Sequence, residues 1–503
     1  MNDEISAYHD SREHWDVSLL SEQAAKDLDF DDLFLCLDHT TSCIGRQYLY
    51  HVLHYNQESP VSGQEELIGE LQRDEGLRGQ IVEILGKLRH ADAYSIVSLF
   101  AEVMPFISSF EKRTISLSRY IPALLGIAFV LWGYKLLLLF LALSVVWNGV
   151  LHYRNKAKMQ LYYFSVPSLF VMLRQVRRLL KIKSLGGIDR DIERIEMELR
   201  PLNKYFSSFR LGARLDNDYA ILAYYLMEFV HIFFLNEAYS VVQTFRALHE
   251  KRVEVERLYC WVGLIDTLCS TAVLRTKLPY YSLPNFVGQS ACLEAKGLYH
   301  PLIPHCVSND IIVSGKSVLI TGSNMSGKTS FIRTIGINVL SGYALNTCFA
   351  HSFSIKAGIQ IHSIITVVDS LTDGKSYFLE EALQVKRLLT LPAEHAHLFL
   401  LDELFKGTNE QERRAISLAI LHKLSRSGNI VFASTHDIEL CHQLAGPFDC
   451  YYFKENFQQN TLDYDHRLRK GIYPSRIAIR LLECCDYPVE VLDEAKVLVD
   501  SDS

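Results

Sequence analysis

Apolar positions recur at helical spacing through most of the first 285 residues and at strand spacing after that. In the stretch from Leu33 to Leu53, Thr40, Thr41 and Ser42 offer side-chain oxygens to the free N–H groups of a helix start. Tyr48, Leu49, Val52 and Leu53 then fall on the side that such a helix buries. Residues 64–110 continue as helical segments with charged faces. Ile188, Ile192, Ile195 and Leu199 are spaced by four, three and four, and Val241, Phe245 and Leu248 repeat the habit. That spacing predicts extended amphipathic helices over 161–285. Beyond residue 286 the runs SVLIT, HLFLL and NIVFAST are short, β-rich and separated by helical patterns. Such alternation predicts a parallel sheet with crossover helices.

One stretch breaks the pattern. From Tyr120 to Tyr153 the chain has no acid, and Lys135 and His152 are its only residues able to carry positive charge. Gly133, Tyr134 and Lys135 divide it into two apolar segments, each near the lower limit for a membrane span of about 20 residues. Two short helices in a hairpin fit this division better than one long span. Lys112, Arg113 and Arg119 precede it and Arg154, Lys156 and Lys158 follow, so the positive-inside tendency places both ends in the cytoplasm. Trp132, Tyr134 and Trp147 suit either interfacial anchors or core aromatics, and a helical hairpin buried in a soluble domain is the alternative to membrane insertion.

Composition narrows the class. With 503 residues, 49% apolar and 22% charged, the chain is long enough for several domains and too apolar to be mainly disordered. A net charge of −7 provides no global basic footprint for nucleic acid. The local cluster Arg174, Arg177, Arg178, Lys181 and Lys183 suits a solvated or membrane-proximal face. Eleven cysteines without a C-x-x-C pair read as reduced thiols in a cytosolic compartment, and the polar start MNDEISAYHD lacks a secretory signal.

The strongest chemical signal is Gly322, Ser323, Asn324, Met325, Ser326, Gly327, Lys328 and Thr329, which follow SVLIT and precede FIRTIGINVL. This is G-x-x-x-x-G-K-[ST] between a strand and a helix. Backbone N–H groups of such a loop surround phosphate oxygens, Lys328 adds a point charge, and Thr329 offers a hydroxyl to Mg²⁺. Ser330 continues the loop into the helix. HLFLL then ends in Asp402 and Glu403, a strand delivering one carboxylate for Mg²⁺ and one to polarise the attacking water. His436 follows NIVFAST, positioned to sense the γ-phosphate or that water. These residues predict ATP as ligand and Mg²⁺ as cofactor.

GSNMSGKTSFIRTIG, DSLTDGKSYFLEEA, LFLLDELFKGTNEQE and FASTHDIEL resemble, in order and spacing, the ATPase domain of the MutS family, relatives of the ABC ATPases. The resemblance runs from LEAKGLYHPLIP at 293–304 to the segment at 473–496, and LDHTTSCIGRQYLYHVLH looks like the start of the MutS core. It implies a mixed fold: a helical core and lever region followed by an α/β P-loop ATPase domain. Together with the apolar stretch, it divides the chain into a helical region at 1–110, a transmembrane hairpin at 111–160, helical levers at 161–285 and the ATPase domain at 286–503. It also implies that Ser376 reaches the γ-phosphate of a partner subunit and that Gly407, Thr408 and Asn409 line the dimer interface. The expected assembly is a homodimer with composite ATP sites.

Three departures qualify the carry-over. The residues ahead of the core leave no room for a mismatch-reading domain and connector. Cys306, Val307 and Ser308 stand where the family often has an aromatic that stacks on adenine. The hairpin interrupts the core and lever region. The primary expectation is a MutS-like ATPase coupled to DNA, as in mismatch repair, and tethered at residues 120–153 to the inner, cytoplasmic membrane with its ATPase domain in the cytoplasm. The alternatives are a membrane-anchored mechanochemical ATPase without mismatch recognition and, for location, a cytoplasmic protein.

Overall fold

Glycines let two helices of the first compact unit approach closely. In α4 (Cys43–His54) a Cβ added at Gly45 would lie 2.2 Å from Asp266 Oδ2, and in α14 (Arg252–Lys277) one added at Gly263 would lie 2.4 Å from Tyr48 Cβ. Asp266 is fully buried and accepts hydrogen bonds from Thr41 N (2.9 Å), Ser42 N (2.7 Å) and Ser42 Oγ (2.5 Å). Ser42 Oγ in turn accepts from Gly45 N at 2.9 Å, so the predicted cap exists and is reinforced by a carboxylate from another helix. Tyr48, Leu49, Val52 and Leu53 are buried as expected.

The computed structural model describes residues 3–12, 20–54, 61–100, 109–160, 162, 164–202, 228–288, 292–323, 326–366, 377–392, 394–406, 408–426, 428–458, 461–473, 482 and 487–494. The chain divides into two compact units. The first, residues 1–14, 39–51 and 64–272, is helical. Besides most of α4 and of α14 it contains α1 (Asp3–Asp10), α5 (Glu65–Arg73), α6 (Glu75–Leu85), α7 (Ser109–Ser118), α8 (Ile121–Trp132), α9 (Lys135–Gln160), α10 (Ser165–Leu179), α11 (Ile192–Leu199), α12 (228–234) and α13 (Asn236–Glu250). The expected helix over 188–199 starts only at Ile192. Ile188 belongs to the preceding turn, after Gly186 and Gly187, where Asp189 Oδ1 accepts from Asp191 N at 2.9 Å. On α13 Val242, Phe245 and Leu248 are buried, while the side chain of Val241 lies outside those described.

Two adjacent helices, α8 and α9, occupy the apolar stretch. Gly133, at φ +69°, ends α8 in the left-handed conformation that glycine adopts without strain. α9 then runs to Gln160, longer than the apolar segment alone suggested. Among the described residues, three stretches are long and apolar enough to cross a membrane: Arg113–Trp132, Lys135–Arg154 and Arg252–Lys277. The last is 78% buried inside the protein and is core, whereas the first two are 17% buried. Leu124, Val130 and Leu131 of α8 and Leu136, Leu143 and Val146 of α9 are all exposed.

The second unit, residues 15–38, 52–63 and 273–503, contains α2 (Glu22–Asp27), α3 (Phe30–Leu37) and two sheets. Its strands are β1 (Pro284–Val287), β2 (Cys292–Leu298), β3 (Asn309–Ser314), β4 (Ser317–Thr321), β5 (Ser352–Lys356), β6 (Ile359–Ile364), β7 (Ala396–Asp402), β8 (Ile430–Ser434), β9 (Phe448–Gln458) and β10 (Thr461–Lys470). Its other helices are α15 (Lys328–Leu345), α16 (Tyr377–Leu389), α17 (Glu410–Leu424) and α18 (Ile438–Gln443). The larger sheet has the order β10-β9-β4-β8-β7-β6, parallel except for the β9–β10 pair. Every residue of β4 and β8 is buried, which is why both read as unbroken apolar runs. The smaller sheet, β1-β5-β2-β3, is mostly antiparallel and was not anticipated from the sequence.

Candidate functional site

The turn after β4 is built around two glycines with positive φ, Gly322 at +139° and Gly327 at +106°. At Gly322 an added Cβ would stand 2.8 Å from Ser326 Oγ and 3.0 Å from Phe453 O, so the position excludes a side chain. Ser326 Oγ donates to Ser323 O at 2.8 Å, and Ser323 N donates to Glu455 Oε1 at 2.8 Å. Gly327 precedes α15, whose first residue is Lys328. The Lys328 ammonium is buried and donates to Gly322 O (2.5 Å) and Ser323 O (3.0 Å), with Glu403 Oε1 at 3.4 Å. Burial pulls its pKa down, against the opposing pull of Glu403 and Asp402.

Parallel register places Asp402, at the end of β7, opposite Ser434, at the end of β8. Asp402 Oδ2 accepts from Thr329 Oγ1 at 2.9 Å, and Asp402 Oδ1 accepts from Ser434 Oγ. Ser434 Oγ also accepts from Glu403 N at 3.2 Å. Glu403 itself has a left-handed backbone, φ +48°, and Phe405 repeats it at +58°. Two non-glycine residues held there mark a turn over-determined by its surroundings. The Glu403 carboxylate meets His436 Nε2, Lys328 and, at 3.2 Å, Lys406 Nζ. Burial pushes its pKa up, but the contacts with His436, Lys328 and Lys406 prevail and hold it at about 2. Lys328, Thr329, Asp402, Glu403 and His436, distant in sequence, thus converge. Ser330 lies in the first turn of α15, and Asn409 caps α17 through Gln411 N. Asn324, Met325, Ser376 and Gly407 lie outside the described residues.

Several neighbours were not legible in the sequence. Glu381 of α16 is buried, and its Oε1 accepts from Phe405 N at 2.6 Å, bracing the left-handed turn that carries Glu403. Phe378 packs on Phe405 with ring centroids 5.5 Å apart. Beside the glycine turn lies a cavity of about 490 Å³ lined by Cys306, Asn309, Gly327, Thr329, Phe453 and His466. His466 sits at an irregularity in the β9–β10 pairing, with φ +50° and Nδ1 3.1 Å from Ser326 O. Its backbone carbonyl accepts from Asn309 Nδ2 at 3.0 Å. An imidazole therefore lines the cavity that Cys306 also faces. Only a contact between strands far apart in sequence produces that arrangement.

A domain profile described as MutS domain V matches residues 318–501, which include all five converging side chains. Residues 318–501 thus form a MutS-family domain. It is 32% identical over 248 residues to the DNA mismatch repair protein MutS of Thermotoga petrophila, a match covering 48% of this chain and 30% of that protein. Against MutS of Petrotoga mobilis the identity is 28% over 260 residues, 49% of this chain and 31% of the relative. Against endonuclease MutS2 of Thermus thermophilus it is 28% over 240 residues, 47% and 32% respectively. The chain thus spans about a third of the length of these relatives.

Proposed function

We propose that this chain hydrolyses ATP at the site formed by residues 322–330, Asp402, Glu403 and His436, in a dimer whose sites are completed by Ser376 of the partner subunit, and couples that cycle to DNA. The observation carrying this reading is the convergence of Lys328, Thr329, Asp402, Glu403 and His436 on one glycine-rich turn. Lys328 would exchange its carbonyl and carboxylate partners for phosphate oxygens. That exchange removes one cation from Glu403 and raises its basicity as substrate binds. Water then bonds to the terminal phosphorus, the bond to the bridging oxygen breaks, and the water's proton moves towards Glu403.

Magnesium is implied by this reading, and the residues fit it. Thr329 Oγ1 and Asp402 Oδ2 are hard oxygen donors 2.9 Å apart. Among the described residues no group of three or more His, Cys, Asp or Glu would hold a metal alone. An ion shared by these two side chains, water and substrate phosphates suits Mg²⁺, which would neutralise phosphate charge. The 490 Å³ cavity suits the nucleoside end, with His466 as its aromatic wall. Glu403→Gln is expected to lower phosphate release by about 10²-fold or more while nucleotide binding persists. Unchanged turnover would remove Glu403 from the role.

The same reading tethers the protein to the cytoplasmic membrane by α8 and α9, with the ATPase unit in the cytoplasm. Exposed apolar side chains on both helices and basic residues at both bases support it. Fractionation of the intact chain beside one lacking residues 120–153 tests this, and an intact chain found only in the soluble fraction would end it. That surface also favours a second reading, an ATPase acting on a membrane or protein partner without mismatch recognition. Gel shifts with mismatched and branched duplexes separate the two, because absence of binding at low salt would remove DNA from the proposal.

A further inference from the structure

The hairpin does not stand alone. α12, which starts 68 residues after the end of α9, packs along its base: His152 Nε2 lies 3.2 Å from Glu228 Oε1, and Asn148 Nδ2 donates to Phe233 O at 3.0 Å and to Ser118 O at 3.3 Å. Between them a Cβ on Gly149 would only just touch Ile232, at 3.9 Å. Residue 228 thus pairs with 152 and residue 233 with 148, so α12 runs antiparallel to α9 and points towards the hairpin tip. At Leu235 the chain reverses through a left-handed backbone, φ +48°, and α13 leads back. Its Tyr239 stacks beneath the Arg119 guanidinium at 4.5 Å, and its Phe245 meets Tyr162, beyond the end of α9, at 4.9 Å. Entry and exit are on the same side.

The polar groups of this element turn inward and the apolar ones outward. Asn148 and His152 are each 1% exposed, whereas Phe229 and Phe234 are 56% and 40% exposed, with Val230 exposed beside them. Along α9 the rise from Lys135 to Tyr153 is about 27 Å, close to a hydrocarbon thickness of about 30 Å. Exposed Trp132 and Tyr134 mark one end, and exposed Tyr120 and Tyr153, with Arg119 and Arg154, mark the other. On that scale Asn148, and Phe233 with it, lie about 9 Å inside the Arg154 boundary, within one leaflet.

We propose that α12 and the start of α13 form a re-entrant wedge that dips into the cytoplasmic leaflet beside the hairpin and presents Phe229, Val230 and Phe234 to lipid acyl chains. Its backbone polar groups remain helical or packed on α9, as non-spanning backbone at membrane depth requires. The wedge rests on the tethering reading but makes its own demand, since a hairpin can anchor the chain with α12 held above the bilayer.

The test uses the full-length protein reconstituted in phosphatidylcholine–phosphatidylglycerol vesicles, with acyl chains brominated near the headgroup or near the terminal methyl. In a Trp132→Phe, Trp147→Phe background, Phe234→Trp should add emission that the shallow bromines quench by about half and the deep ones much less, in keeping with its leaflet depth. Phe229→Trp should respond in the same order. If Trp147 of the otherwise unaltered protein is quenched while the tryptophans at 229 and 234 are not, the hairpin inserts and the wedge is wrong. If neither Trp132 nor Trp147 responds, the tether fails and the wedge with it.

Discussion

Glu403 is enclosed by His436, Lys328 and Lys406 on a turn that is left-handed at Glu403 and again at Phe405. Its carboxyl is depressed from 4.5 to about 2, so the stability it draws from these contacts is fully present above pH 4.5 and drains away as pH falls towards 2. The difference in urea midpoint between the wild type and Glu403→Gln should therefore be constant down to about pH 4.5 and shrink below it. A difference that does not change over that interval would mean the contacts do not hold the anion. Glu381 acts on the same turn through Phe405 N. Glu381→Ala leaves that buried N–H without its acceptor, an expected loss of about 1–3 kcal/mol, whereas Glu381→Gln keeps an oxygen there and should recover most of it. Turnover should follow the same order, because the turn that loosens carries Glu403. Lys328, Thr329, Asp402, Glu403 and His436 were legible because each sits beside a strand end within a contiguous motif. Glu381, Ser434 and His466 were not, because their roles arise from register and packing between segments far apart in the chain.

Helices and strands were legible where burial leaves a one-dimensional trace. β4, β7 and β8 are covered on both faces and read as unbroken apolar runs, and α4 announces itself by the cap at Ser42. The small sheet left a weaker trace. β3 alternates buried and exposed positions over only six residues, and its partner β2 pairs on the other edge with β5, which comes later in the chain. Ile188 matched the helical period yet fell in a turn, since Gly186 and Gly187 favour a break that periodicity ignores. The α4–α14 crossing was also silent in the sequence, although its chemistry is simple. Gly263 gives Tyr48 its place, and a methyl group at 2.4 Å from Tyr48 Cβ demands a shift of the helix rather than of a flexible side-chain end. Gly263→Ala should therefore cost about 1–3 kcal/mol, read as a lowered unfolding midpoint. The same substitution at exposed Gly79, where an added Cβ meets nothing within 4 Å, should be neutral or slightly stabilising. Equal midpoints for the two variants would deny the crossing.

At the scale of the molecule, chain order and compactness part company. Residues 20–38 fold with the carboxy-terminal unit: Leu20 bridges to Ile361, and the fully buried Asp27 accepts from Ser363 Oγ (2.5 Å), Ile365 N (3.0 Å) and Thr366 N (2.9 Å). A lone aspartate on a short helix gave no hint of that, since these three partners are more than 330 residues away. Beyond the single chain stands the proposed composite site, in which each subunit supplies Lys328 to its own nucleotide and Ser376 to its partner's. This arrangement predicts complementation between two inactive proteins. Lys328→Ala spoils the site on its own subunit, and Ser376→Ala spoils the site on the other. In a heterodimer of the two, one site therefore combines an intact Lys328 with an intact Ser376, and the second lacks both. Free exchange of an equal mixture makes about half the dimers heterodimers, so phosphate release should recover to about a quarter of the wild-type rate. If Ser376 instead served its own subunit, every site in the mixture would carry one lesion, and mixing would restore nothing. The recovered fraction should also rise as one variant is brought from scarcity to parity with the other and fall again beyond it, a dependence that no independently acting monomer can give.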